Sequence, residues 1–283
     1  MKNNKTKIGW IGLGTMGTPM SKKLTEAGYD VTFYNRTARA NTGVNEQKIA
    51  FSPAEIIDVT DVIFLMVSDD QAIREIFTGE TGLLKPTATG KIIVNMSTVS
   101  PDISREMADL CKSQGNHYLD APVSGSLKQA QEATLVIMVG GEESTFQKVK
   151  PILEKIGRLA MHVGDSGKGN TAKLVINTLL GVHVQALAEA FNFAKQQGIA
   201  VQDLSTLLNN SALSNPLMTI KGEQLLSQDF KARFALQHLA KDLRLAKDLG
   251  LSSPLGLTVH ESFQEAEQKY GSEDVIAIAK TLS

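Results

Sequence analysis

At 283 residues the chain is long enough for one large domain or two ordinary ones, each with its own core. Its composition, 42% apolar and 21% charged, is that of a globular protein, and a formal net charge of −1 gives no electrostatic case for nucleic acid or an anionic membrane as partner. The one cysteine, Cys111, excludes an internal disulfide and fits a reducing compartment, so a cytoplasmic location is expected.

The N-terminal stretch MKNNKTKIGW is basic, but its apolar run is short and broken by glycine, so no secretory leader is expected. Apolar, Val- and Ile-rich runs then recur at Lys7–Leu13, Asp30–Asn35, Val62–Val67, Lys91–Met96, Thr134–Val139 and Leu159–Val163. Their near-continuous apolarity predicts strands buried on both faces, as in a parallel sheet. Helical patterns alternate with them, the first over Met16–Ala27, with Pro19 tolerated in its first turn and Gly28 stopping it. This rhythm predicts a doubly wound α/β domain.

After VGDSGKGNT (Val163–Thr171) the chain reads as helix almost throughout. A helix over Thr171–Gln197 would be about 40 Å long at about 1.5 Å per residue. Shorter ones follow near Val201–Asn209, Pro216–Leu226, Ala235–Leu249 and Pro254–Lys269. The expected organisation is a nucleotide-binding domain over 1–165 and an all-helical domain over 166–283. The apolar stretch Lys173–Ala194 contains Asn177, His183, Gln185 and Glu189, and predicts a buried helix rather than a membrane span. Its apolar length suggests a partner subunit packed on it, hence a homo-oligomer.

The first strand ends in G-x-G-x-x-G: Gly12, Leu13, Gly14, Thr15, Met16, Gly17. In a Rossmann unit the first glycine makes the tight turn, the second lets backbone approach a pyrophosphate, and the third allows close helix–strand packing. The helix N-terminus then offers N–H groups and a positive dipole end to the phosphates. NAD readers usually carry Asp or Glu at the end of the second strand to hold the ribose 2′-hydroxyl. Here Asn35, Arg36 and Thr37 stand there. A neutral Asn removes a charge that would repel a 2′-phosphate, and Arg36 can pair with one. NADP is therefore the expected cofactor, with NAD possible. A Walker A loop is excluded, because Asn170 follows Gly169 where lysine is required.

Hydride transfer to a carbonyl needs a proton donor. No tyrosine has lysine four residues on, and one cysteine cannot build a cysteine zinc site. The five histidines show no metal-ligand spacing. Lysine remains: GKGNTAKLVIN puts Lys173 and Asn177 four apart on one helix face, after Gly164, Gly167 and Gly169, which leave room for a ligand.

Four motifs in order, GLGTMG, DAPVSGS (Asp120–Ser126), GKGNTAKLVIN and KDLRLA (Lys241–Ala246), resemble the β-hydroxyacid dehydrogenase family over nearly the whole chain. The resemblance implies a Rossmann domain followed by an all-helical domain, with the active site in the cleft between them. It implies that Lys173 is catalytic and that Asn177 binds substrate. It places Ser124, Gly125 and Ser126 in the loop that holds the substrate carboxylate. Val67, Ser68 and Thr98 fall at cofactor contacts, and Lys241 near both nicotinamide and substrate. A lysine ordinarily titrating near about 10.4 serves near neutrality only where burial or a neighbouring cation lowers it, and Lys241 is the candidate cation.

Most of the family has glycine where this chain has Ser126. That serine, with NRT, SNPL (Ser214–Leu217) and KDLRLA, is similar to the subgroup that reduces glyoxylate and succinic semialdehyde with NADPH. Asn95 stands where many members have Asp. The expected activity is an NADP-dependent interconversion of a small hydroxyacid and its aldehyde-acid. Hydride goes to the aldehyde carbon while Lys173 protonates the oxygen; in oxidation Lys173 is the base. The rivals are an imine reductase, whose relatives typically lack this lysine, and a nucleotide-binding protein without turnover, whose relatives usually lose it. Pocket size is expected to depend on Leu213, Leu217 and Phe234.

Overall fold

The computed structural model describes residues 6–37 and 48–282. Residues 1–5, on which the leader argument partly rests, lie outside them. The first half alternates as read: β1 (Lys7–Ile11), α1 (Gly17–Glu26), β2 (Asp30–Tyr34), α2 (Pro53–Val59), β3 (Val62–Leu65), α3 (Asp70–Thr78), β4 (Ile92–Asn95) and α4 (Pro101–Ser113). Next come β5 (His117–Asp120), β6 (Val123–Ser124), α5 (Leu127–Gln131), β7 (Leu135–Gly141), α6 (Glu143–Leu153) and β8 (Gly157–Gly164). Helices complete the chain: α7 (Lys168–Gln196), α8 (Val201–Asn209), α9 (Pro216–Ser227), α10 (Leu236–Asp248), α11 (Pro254–Tyr270) and a final 3₁₀ helix, Val275–Thr281.

The sheet runs β2-β1-β3-β4-β5-β7-β6, with β8 beside β7. β2 to β5 are parallel neighbours, but β7 is antiparallel to both β5 and β6, so the sheet is mixed rather than wholly parallel. β5 and β6 escape the apolar-run reading: HYLD mixes polar and apolar residues, and β6 has only two residues.

Period-two alternation divides the strands between two cores. Ile8, Trp10, Phe64 and Val94 meet Met20 and Leu24 of α1 and Phe146 and Val149 of α6 on one face. Ile11, Ile63, Leu65 and Ile93 meet Ile56 of α2, Ile73 and Phe77 of α3 and Met107 of α4 on the other. Each such fully buried side chain contributes about 1.5–3 kcal/mol relative to exposure. The chain leaves β1 for β2 on one side and reaches β3 on the other. This switch point puts the carboxyl ends of β1, β2, β3 and β4 around one crevice, the usual ligand position in an open α/β sheet.

The chain divides into compact units at Lys173/Leu174, inside α7, whereas the sequence reading places the boundary at 165/166. The reason is local: the first turn of α7 is hydrogen-bonded to Asp120 at the end of β5 and so belongs with the sheet. In the second unit Val184, Leu187 and Phe191 of α7 pack with Leu239 and Leu243 of α10, Val259 and Phe263 of α11, and Ile276 and Ile278. Helix α7 is long and apolar enough, by length and composition alone, to cross a membrane. It also carries buried Asn177 and Gln185, hydrogen-bonded to Asp242 and Glu189. The expectation that it is buried holds only in part, since Val175, Ile176, Leu179 and Phe193 are exposed.

Candidate active site

The glycine turn is built by exclusion. Gly12 has φ +98°, and a Cβ there would lie 2.1 Å from the Met66 carbonyl oxygen. A Cβ at Gly17 would lie 2.0 Å from the carbonyl oxygen of Gly12, so only glycine lets α1 start this close to β1. At Gly14 a Cβ would meet nothing within 4 Å. The middle glycine is thus free of internal packing demands, as a backbone approached by a ligand's phosphates should be. No acidic residue stands in the first turn of α1, and Met16 at its N-cap supplies no capping side chain, so the helix end suits an anion. A dinucleotide pyrophosphate fits this turn. Leu13 is buried and Met16 half-buried in the sheet core, so their side chains serve packing; Thr15 is exposed.

Asn35 has a structural task the sequence reading did not include. Its Oδ1 accepts from the Leu13 N–H at 2.9 Å and its Nδ2 donates to the Thr37 carbonyl at 2.6 Å. An aspartate could make the first bond but not the second. Asn35 therefore ties the glycine turn to the segment that presents Arg36 and Thr37, both exposed. The loops after β3 and β4 are joined similarly. Val67 N–H donates to Ser97 Oγ at 2.9 Å, and Ser97 N–H to Asn95 Oδ1 at 3.0 Å, which holds Val67 and Thr98 in adjoining loops. Ser68 turns its hydroxyl onto Asp69, the N-cap of α3.

Gly125 has φ +135°, and its turn follows β6, which ends at half-buried Ser124. Ser126 donates both its N–H and its hydroxyl to Gln129 Oε1, at 2.8 and 2.6 Å. It stands at the N-cap of α5, where Gln129 closes a capping box. The S-x-x-Q spacing of a capping box was present in the sequence.

Lys173 is the sixth residue of α7, because the helix begins at Lys168. It lies past the first turn, where the field of the helix end has largely faded. Gly167 and Gly169 before it do not leave room for a ligand. A Cβ at Gly167 would lie 2.9 Å from the Pro101 carbonyl oxygen, and one at Gly169 2.5 Å from those of Asp120 and Met138. They allow the helix start to seat against the sheet. Lys173 is nonetheless 8% exposed and Asn177, one turn on, 2%. Asn177 Nδ2 donates to Asp242 Oδ2 at 2.6 Å, and Lys241 Nζ lies 3.2 Å from Asp242 Oδ1. The buried Asp242 carboxylate thus gathers Asn177 and Lys241. Leu217 and Phe234 pack against the core of the second unit, with Phe234 stacked on His238, while Leu213 is exposed.

A family model of the NAD binding domain of 6-phosphogluconate dehydrogenase matches residues 7–164. A second, the NAD-binding of NADP-dependent 3-hydroxyisobutyrate dehydrogenase, matches residues 167–282. The chain belongs to the β-hydroxyacid dehydrogenase family of NAD(P)-dependent oxidoreductases. It is 35% identical to 2-hydroxy-3-oxopropionate reductase of Escherichia coli, over 84% of this chain and 82% of that one. It is 31% identical, over 98% of its length, to cytokine-like nuclear factor N-PAC of Anopheles gambiae, but spans only 50% of that protein. Among solved structures, 3-hydroxyisobutyrate dehydrogenase of Mycobacterium tuberculosis, described with L-serine, superposes with a TM-score of 0.88 at 31% identity, covering 98% of this chain and 99% of that one.

Within this dehydrogenase fold the residues missed from sequence are the buried polar ones. Asp120 and Asp242 are buried carboxylates, and Asn95, Ser97 and Asn170 are buried hydrogen-bonding side chains. Asp120 and Asp242 each fall inside one of the motifs, yet the hydrogen-bond donors Gly167 and Asn170 to the first and Asn177 to the second lie tens of residues away in sequence.

Proposed function

We propose that this chain is an NADP-dependent reductase/dehydrogenase interconverting a small β-hydroxyacid, or related hydroxyacid, and its aldehyde-acid, with Lys173 as general acid and base. The observation that carries the reading is the buried pair Lys173 and Asn177 on one face of α7, with Asn177 held by Asp242. A lysine and a carboxamide removed from water and one turn apart suit a carbonyl oxygen that gains or loses a proton.

The glycine turn would hold the pyrophosphate, and Arg36 with Thr37 the 2′-phosphate. The nicotinamide, when bound, supplies or accepts the hydride. Lys173 Nζ gives its proton to the nascent alkoxide in reduction and takes it back in oxidation. Asn177, with Nδ2 engaged by Asp242, keeps its carboxamide in one orientation toward the reacting oxygen. The Ser124–Ser126 loop binds the carboxylate. The name of the Escherichia coli relative, a reductase of a small aldehyde-acid, supports this substrate class, and the family model of an NADP-dependent enzyme supports the cofactor. Within the class, glyoxylate and succinic semialdehyde are the candidates that the sequence motifs favour. Similarity to proteins named cytokine-like nuclear factor N-PAC, a name that specifies no oxidoreductase, leaves a second reading, nucleotide binding without turnover. Lys173 weighs against it.

Arg36→Ala tests the cofactor assignment. The expected result is NADPH binding weakened by about 1.5–3 kcal/mol, the worth of a hydrogen bond to a charged group, with NADH binding unchanged. Fluorescence titration of both cofactors reads it. Equal losses would show that Arg36 does not read the 2′-phosphate.

A further inference from the structure

Asp120 ends β5, is fully buried, and takes no part in the chemistry just described. Its carboxylate faces the start of the helix that carries Lys173. Oδ1 accepts from the Gly167 N–H at 2.7 Å and Oδ2 from the Asn170 N–H at 2.8 Å. These are N–H groups that a helix start leaves without intrahelical partners. Gly167, just before the helix, has no side chain to cap them, and a strand 47 residues earlier supplies the acceptor. Gly167 has φ +89° and a Cβ there would lie 2.9 Å from the Pro101 carbonyl oxygen, so no capping side chain can stand at this position and the acceptor has to come from elsewhere in the fold.

The seat is reserved by missing side chains. A Cβ at Gly140 would lie 2.6 Å from Asp120 Oδ1, and one at Gly169 2.9 Å from Oδ2. A second tie comes from Asn170, whose Oδ1 accepts from the Val99 N–H at 3.0 Å while its Nδ2 donates to Ser104 Oγ at 3.1 Å. The first turn of α7 is therefore fastened both to β5 and to the loop after β4 that contains Thr98. Burial pushes the Asp120 carboxyl above the usual carboxylate range, and the N–H groups of Gly167 and Asn170 pull it part of the way back.

We infer that Asp120 is a positioning residue: its two oxygens, fixed on two N–H groups three residues apart, set the rotation and axial position of α7 and hence where the Lys173 amine stands. Two anchors on one rigid turn define both coordinates, and Lys173 follows Asn170 by less than one further turn. This inference rests on the assignment of Lys173 as proton donor.

Asp120→Asn tests it, since the amide keeps one acceptor but sets an NH₂ group against a backbone N–H. The expected variant binds NADPH within about threefold of wild type. Its kcat falls about 10²-fold, the cost of a roughly 1 Å misplacement. KM for the aldehyde-acid changes far less, and the solvent deuterium isotope effect on kcat rises, because proton transfer from a displaced lysine becomes limiting. A merely structural Asp120 would lower thermal stability and leave kcat per folded site and the isotope effect unchanged; that result overturns the inference, as does a loss of NADPH affinity in step with kcat. Should Asp120→Asn not fold, Asn170→Ala leaves the Asp120 bonds in place and removes those to Val99 and Ser104. The same signature at smaller size is expected, and unchanged kcat again overturns the inference. Lys173→Arg is assayed alongside. If it loses turnover while Asp120→Asn keeps it, the positioning role alone fails; if Lys173→Arg keeps turnover, the proton-transfer assignment fails with it.

Discussion

Lys173→Arg is expected to bind NADPH as the wild type does and to turn over about 10²–10⁴-fold more slowly, the usual worth of a positioned general acid. Arginine keeps the positive charge but releases no proton in the working pH range, so it separates proton transfer from electrostatic stabilisation. The proposed phosphate contacts lie in the glycine turn and at Arg36, on other elements than α7, so NADPH affinity is expected to change little. Burial distinguishes this lysine from the solvated lysines usual on helices: it is 8% exposed in the second turn of α7. Lys173→Met should fall at least as far. Turnover is read by loss of NADPH absorbance and affinity by NADPH fluorescence. Near-wild-type turnover in Lys173→Arg would show that this residue transfers no proton.

Asp274→Ala is expected to destabilise the second unit by about 3–5 kcal/mol, the cost of breaking a buried ion pair from one side. Asp274 Oδ1 takes a hydrogen bond from Lys221 Nζ at 2.5 Å and one from the Ile276 N–H at 3.2 Å. Oδ2 accepts from the N–H groups of Arg233 and Phe234 at 2.9 and 3.2 Å. The substitution leaves three backbone donors and a buried ammonium, with Gln224 Oε1 still accepting from Lys221 at 2.9 Å. The loss depends on pH. Burial holds the Lys221 amine below the usual lysine value, and Asp274 opposes that shift. Without Asp274 the depression deepens, so the folded variant binds fewer protons than the unfolded chain below the unfolded lysine value. Its stability therefore falls as pH drops through that range. Denaturant melts of variant and wild type should differ more at about pH 7 than at about pH 10; equal differences would show that Lys221 is not left charged and buried.

Much of this was legible in the chain. Gly12 and Gly17 announced a tight strand-to-helix turn because two backbones meet there and no side chain fits. Helix α8 runs over Val201–Asn209 as its apolar spacing predicts, and Asn215 caps the start of α9 at Pro216. Other features were not legible, for identifiable reasons. Asp120 looks like any residue before a proline-containing turn; its role arises from Gly167 and Asn170, which only the fold brings to it. Asp242 sits in KDLRLA as one charge among several, and its bond to Asn177 spans 65 residues. HYLD lacks the apolar run of a central strand because His117 is only half-buried. The S-x-x-Q spacing at Ser126 is, by contrast, a local signal of the helix start that the structure shows at α5.

The most direct measurement of the central proposal is NADPH oxidation by the wild-type chain with a panel of aldehyde-acids, including glyoxylate and succinic semialdehyde, against aldehydes of similar size that lack a carboxylate. The expected result is saturable turnover with at least one aldehyde-acid, and a kcat/KM well above that for its uncharged counterpart, as the proposed binding of the carboxylate by the Ser124–Ser126 turn and protonation by Lys173 require. NADPH binding without turnover of any member of the panel would contradict the account and favour a nucleotide-binding protein that performs no reduction.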